Sequence, residues 1–141
     1  MKYIYPKETG ASRTGEINDC TVRALSNCTG IDYDVAFDLL KNAGRKNNKG
    51  MLTIKYSPAY FEAGAKSMST YGKFSTYLAR HLQDFSVKPC GSASLGKIVK
   101  EYPQGRHVVI VTGHAVALVD GKLIDKGFNR SGAHVMAVFH F

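Results

Sequence analysis

A chain of 141 residues, 44% of them hydrophobic, is long enough for one genuine core, too short for a second and too apolar for disorder. A net charge of +8 and a pI near 9.5 keep acidic proteins and nucleic acid in view as partners. No apolar run reaches the length of a membrane span, the N-terminus lacks the apolar segment of a secretory signal, and Cys20, Cys28 and Cys90 give neither a paired framework nor the short ligand spacings of structural zinc. These features predict one soluble domain over residues 1–141, cytoplasmic, with no membrane partner, no metal and no cofactor.

In chain order, Asn18-Asp19 offers N-cap side chains, and Val22, Leu25 and Cys28 or Thr29 recur at helical spacing. A helix therefore starts at or beside Cys20 and closes at Thr29-Gly30. A thiol there meets unpaired N–H groups and the positive end of the helix dipole, which favour a thiolate and can also hold an oxyanion. Glu16, just upstream, either lines a substrate groove or is a first-turn charge. Asp32 or Asp34 opens a second helix whose stripe Val35, Ala36, Leu39, Leu40 and Ala43 ends at Gly44, before a basic loop, Arg45-Lys46-Asn47-Asn48-Lys49. Ser57-Pro58 reads as the N-cap and first residue of a third helix through about Ala65. Residues 70–82 are ambiguous, with helix around Tyr77-Leu78. Ser94 caps a helix carrying Leu95, Ile98 and Val99, which stops before Pro103.

The last third reads as strands. Residues 107–112 form a buried one, Gly113 permits a bend, 114–119 form a second, Asp120-Gly121 is a two-residue hairpin turn, and Lys122 to Asp125 return as a third. That turn sets Asp125 opposite residue 116, a diagonal neighbour of His114, and the two-residue period puts 114 and 116 on one face. In the final strand, Ala133 to Phe141, alternation puts His134, Met136, Val138 and His140 on one face. The expected architecture is α+β, with N-terminal helices packed on one side of a C-terminal antiparallel sheet.

Taken singly, Cys20 and His114 also suit core positions, and Asp125 a turn cap before Gly127. Their joint order points to a nucleophile, a base and an orienting carboxylate. The segments Asn18-Asp19-Cys20-Thr21-Val22-Arg23-Ala24-Leu25 and Gly105 through Gly121, ending at Ile124-Asp125, resemble those of small papain-like cysteine peptidases of the bacterial and bacteriophage type. The resemblance implies a papain-like fold, with Cys20 as nucleophile, His114 as general base and acid, and Asp125 orienting the imidazole. It also implies a peptide or isopeptide substrate, and the host's cytoplasm as location if a phage carries the gene. Papain-like enzymes place a Gln several residues before the nucleophile. Here the only two are Gln83 and Gln104, so Asn18 is the oxyanion-hole candidate, with helix capping as its other use. The interval from 20 to 114 is also shorter than the roughly 130–150 residues of papain and the cathepsins.

The same thioester could serve a transglutaminase or deamidase. The alternative from another class is a non-catalytic basic module that binds nucleic acid or a host protein, using the 45–49 loop and tyrosines such as Tyr56, Tyr60, Tyr71 and Tyr77.

Overall fold

The computed structural model describes residues 3–4, 18–46, 49–51, 53–125 and 130–141. Glu16, Asn47, Asn48 and Gly127, which entered the readings above, lie outside the described residues. Five helices are α1 (Cys20–Thr29), α2 (Tyr33–Asn42), α3 (Thr53–Glu62), α4 (Phe74–His81) and α5 (Leu95–Glu101). Seven strands are β1 (Tyr3–Ile4), β2 (Ser67–Thr70), β3 (Val87–Pro89), β4 (Arg106–Val111), β5 (His114–Val119), β6 (Lys122–Ile124) and β7 (Val135–His140). They form one mixed sheet in the order β1-β6-β5-β4-β7-β2-β3, so the chain is α+β.

The centre of the sheet, β6-β5-β4-β7, is antiparallel and C-terminal as expected. The edges are not. β1 pairs parallel with β6 and β3 parallel with β2, while β2 pairs antiparallel with β7. In the sequence of β2, Ser67-Met68-Ser69-Thr70, only Thr70 belongs to the β-branched and aromatic types that mark a strand. It is held by its partner, with Met68 opposite Phe139.

Helices also cover both faces rather than one. On the first, Val22 and Leu25 of α1, Phe37 and Leu40 of α2, Tyr56 and Tyr60 of α3 and Leu78 of α4 pack on Val108, Ile110, Ala115, Ala117, Ala137 and Phe139. On the second, Leu95 and Ile98 of α5 pack on Val109, Val116, Leu118, Leu123 and Val138. The physical reason is in the strands themselves: 107–111 and 115–118 are buried throughout, so neither face is polar enough to meet water. Burying each of these side chains contributes about 1.5–3 kcal/mol before entropy is charged against it.

Two helix starts show what local signals can do. Ser94 caps α5, its hydroxyl oxygen accepting from the Lys97 N–H at 3.3 Å, and Ser94→Ala should cost about 1 kcal/mol, read as a lower urea midpoint. By contrast, Ser57-Pro58 does not begin α3, which starts at Thr53 with Pro58 inside it. Ser57 is buried and its hydroxyl donates to the Thr53 carbonyl at 2.6 Å. The buried trio Tyr56, Ala59 and Tyr60 sets the packing face, with the Tyr60 ring 4.7 Å from that of Phe139, and the exposed Pro58 is carried on the solvent side.

β7 departs from simple alternation. Ile110 lies opposite Ala137 but Val111 opposite Val135, so Met136 is an extra, bulged residue. Val135 and Val138 consequently share the α5 face, while Met136 joins Ala137 and Phe139 on the other. The expected common face of His134, Met136, Val138 and His140 is broken there.

Candidate active site

α1 begins at Cys20, and its N-cap residue is Asp19. No side chain caps the helix: the carboxylate of Asp19 accepts instead from Arg23 Nε at 3.0 Å and from the Tyr33 hydroxyl at 2.7 Å. The first intrahelical bond runs from the Arg23 N–H to the Asp19 carbonyl. The N–H groups of Cys20, Thr21 and Val22 precede it in the ladder and are free of helical partners.

His114 opens β5. Its Cα partner is Val111, and the turn between them, Thr112-Gly113, needs the left-handed backbone that Gly113 adopts at φ 75°. Asp125 follows β6, whose register is fixed by the Asp120-Gly121 turn, with φ 49° and 78° at its two residues. The ladder ends with Ala117 opposite Ile124, and Asp125 is the residue that follows it. The His114 Nε2 and Asp125 Oδ2 atoms are 2.5 Å apart.

The two-residue period places Asp125 and His114 near one another but does not say on which side of the sheet they meet. Val116 packs on the α5 face, whereas His114 is hydrogen-bonded to Cys20 of α1, which lies on the other. His114 is the first residue of β5, next to Gly113. With Nε2 on Asp125, Nδ1 is left for the thiol. The resulting chain, Cys20 Sγ to imidazole to carboxylate, joins three elements separated in sequence.

The electrostatics follow the geometry. Burial alone would push the Cys20 thiol up. The hydrogen bond and positive charge of His114, the backbone N–H of Ala115 and the charge of Arg23 outweigh it and hold the thiol below its ordinary value of 9.0. For His114, burial would disfavour the imidazolium, but the hydrogen bond to Asp125, the thiol and the two negative charges raise it from 6.5 to about 9. Cys28, the other thiol of α1, is fully buried and pushed up to about 12, which is the behaviour of a core cysteine.

Arg23, one turn after Asp19, was not singled out in the sequence as part of the site. It joins the site's second layer: Nε reaches Asp19 and Nη1 reaches Asp125 Oδ1 at 2.9 Å. Asp19 and Asp125 are both buried, at 5% and 4% exposed, and Arg23 places one cation between them. The i,i+4 spacing of Asp19 and Arg23 was a legible signal for half of this arrangement.

Cys20 and His114 line a cleft of about 430 Å³, walled by Met51, Tyr56, Ile110, Val111 and Met136. Thr21 also lines it, and its hydroxyl oxygen is buried with no hydrogen-bond partner among the described residues. Asn18 is exposed, in a left-handed conformation at φ 53°, and its carbonyl accepts from Arg45. It is not among the described residues lining the cleft. No cluster of His, Cys, Asp and Glu among the described residues could hold a metal ion, and no helix among them is long and apolar enough to cross a membrane.

The residues named for the basic module fall elsewhere. Arg45 is buried and lies over the Phe37 ring at 5.4 Å, so it is not part of a solvated basic loop. Tyr56, Tyr60 and Tyr71 are core residues, whereas Tyr77 is exposed. His107 and His140 are side by side between β4 and β7, far along those strands from the Cys20 cleft. Compared with family models, with curated proteins and with solved structures, the chain matches none of them.

Proposed function

We propose that the protein is a papain-like thiol hydrolase, a cysteine peptidase that cleaves a peptide or isopeptide bond through a thioester on Cys20. The observation that carries this reading is the hydrogen-bonded chain from Cys20 through His114 to Asp125, in a cleft and with a depressed thiol.

In this reading the Cys20 thiolate attacks the substrate carbonyl carbon, forming the C–S bond and moving the carbonyl electron pair onto oxygen. The N–H of Cys20 at the start of α1, where Asp19 provides no side-chain cap, is the donor offered to that oxyanion, in place of an upstream Gln. As the tetrahedral species collapses, the C–N bond breaks and the imidazolium of His114 gives its proton to the departing amine. Neutral His114 then takes a proton from water, which attacks the thioester. The C–S bond breaks, and the acid product leaves a thiolate paired again with imidazolium. Asp125 holds the ring in the orientation that both transfers need.

The test is direct trapping. After exposure to p-nitrophenyl acetate near pH 7, mass spectrometry should find one acetyl group on Cys20 that hydrolyses with time, and none there in Cys20→Ala. An acetyl group that forms equally fast in His114→Ala, or never turns over, would exclude this pair as hydrolytic machinery.

A further inference from the structure

The cleft does not end at the thiol. Met136, the bulged residue of β7, walls it and also walls a second cavity of about 370 Å³. The Thr112-Gly113 turn separates the two, with Gly113 on the thiol side and Thr112 on the other. The cavities therefore adjoin across one end of the sheet. The second is walled by Tyr71, Phe74 and Val135 besides Met136, and its rim carries Lys73 and His134. No carboxylate is among its described lining residues.

Phe74 is 43% exposed, and Tyr77, one turn further along α4, is 45% exposed. Scattered exposed apolar residues are ordinary, but here Phe74 belongs to the wall of a cavity that itself adjoins the thiol cleft, and Tyr77 lies one turn further along the same helix. The rim is basic and the protein as a whole carries +8. Apolar wall, basic rim and continuity with the cleft together define one kind of occupant.

We propose that this second cavity is a subsite for the polypeptide substrate of Cys20, holding an aromatic or large aliphatic side chain against Phe74, Tyr71 and Met136 while a neighbouring carboxylate meets Lys73. The proposal rests on the thiol-hydrolase reading. The substrate strand crosses the sheet end over Thr112-Gly113, so selection is made several atoms away from the reacting bond, where binding energy can position the carbonyl over the thiol.

The experiment is a quenched-fluorophore peptide library, randomised on both sides of the scissile bond, read in the full-length wild type, Phe74→Ala and Lys73→Glu. The pH dependence of iodoacetamide alkylation at Cys20 is recorded on the same proteins and on His114→Ala. The wild type should prefer a bulky apolar residue beside an acidic one at a fixed distance from the cleaved bond. For those peptides kcat/KM should fall at least about 10-fold in Phe74→Ala and turn toward basic neighbours in Lys73→Glu, with unchanged alkylation profiles. Cleavage without that preference, or with a preference that neither substitution moves, overturns the subsite. So does a library left uncut by a protein whose alkylation still depends on His114, and so does oligothymidylate binding that Phe74→Ala abolishes, which would assign the aromatic face to base stacking. An ordinary alkylation midpoint indifferent to His114→Ala would instead sink the thiol-hydrolase reading itself.

Discussion

In His114→Ala, Cys20 should lose reactivity at neutral pH and the midpoint of its alkylation should move upward. The direction follows from what is removed. Burial still disfavours the thiolate, the Ala115 N–H and the charge of Arg23 still oppose that effect of burial, and the hydrogen bond and positive charge of His114 are gone. In acyl transfer the loss is compounded, because the variant has no imidazolium to protonate the leaving amine, and general acid–base catalysis is worth about 10²–10⁴-fold. The wild-type profile carries the sign. Thiolate exists above the lowered value for Cys20, and imidazolium exists below about 9 for His114, so the reactive pair occupies the interval between them. Acyl transfer should rise through the first limit and fall through the second. Alkylation needs no proton for its leaving group and should rise without an alkaline fall. Peptide hydrolysis and iodoacetamide alkylation on one preparation separate the two shapes, with Cys20→Ala as the blank. Cys28 does not compete, being fully buried and pushed up to about 12. Identical profiles for the two reactions would sink the assignment of His114 as acid.

What was legible in the sequence was whatever local chemistry dictates. The Asp120-Gly121 turn fixed the register that pairs Ala117 with Ile124 and so brings Asp125 near His114, and two residues of positive φ are what that dipeptide supplies. Ser94 announced α5 because its cap is an interaction within four residues. Where tertiary contacts decide, the sequence was mute or misleading. Ser57-Pro58 carries a start signal that the packing of Tyr56 and Tyr60 overrules. β2 is a strand because β7 offers it a partner, and the Met136 bulge depends on the register of two strands at once. The apolar runs of β4 and β5 did record that both faces are buried, although the expectation placed helices on one side only. At the site, Cys20, His114 and Asp125 were found from order and turn geometry, but not the side of the sheet on which they meet. α1 does start at Cys20 with Asp19 at its N-cap position, but the Asp19 side chain is spent on Arg23, one turn on, and on Tyr33 of the next helix, and the second of these no window around residue 19 contains.

That arrangement makes Arg23→Met the variant with the largest expected cost in stability. Asp19 and Asp125 are taken out of water and share one guanidinium, whose Nε and Nη1 point to different carboxylates. Removing the cation leaves Asp19 its bond from Tyr33 and Asp125 its bond to His114, but strips both of this charge. Breaking such a buried pair from one side costs about 3–5 kcal/mol, and the partial exposure of the Arg23 side chain argues for the lower end, about 3. Against a native stability of about 5–15 kcal/mol, that is a large fraction of what holds the fold. The chain has no Trp, so urea denaturation followed by far-UV circular dichroism reads the change. Arg23→Lys should recover only part of it, because a single ammonium cannot reproduce the fork that spans both carboxylates. Where Arg23→Met is still folded, the alkylation midpoint of Cys20 should also rise, since Arg23 is one of the charges that hold the thiol down. Asp19→Asn combined with Arg23→Met should cost less than the two single changes added together, because each single change leaves a buried partner stranded that the double variant removes. Additive losses, or an Arg23→Met protein as stable as wild type, would mean that the guanidinium is a surface ornament, with Asp125 held toward His114 by its other neighbours.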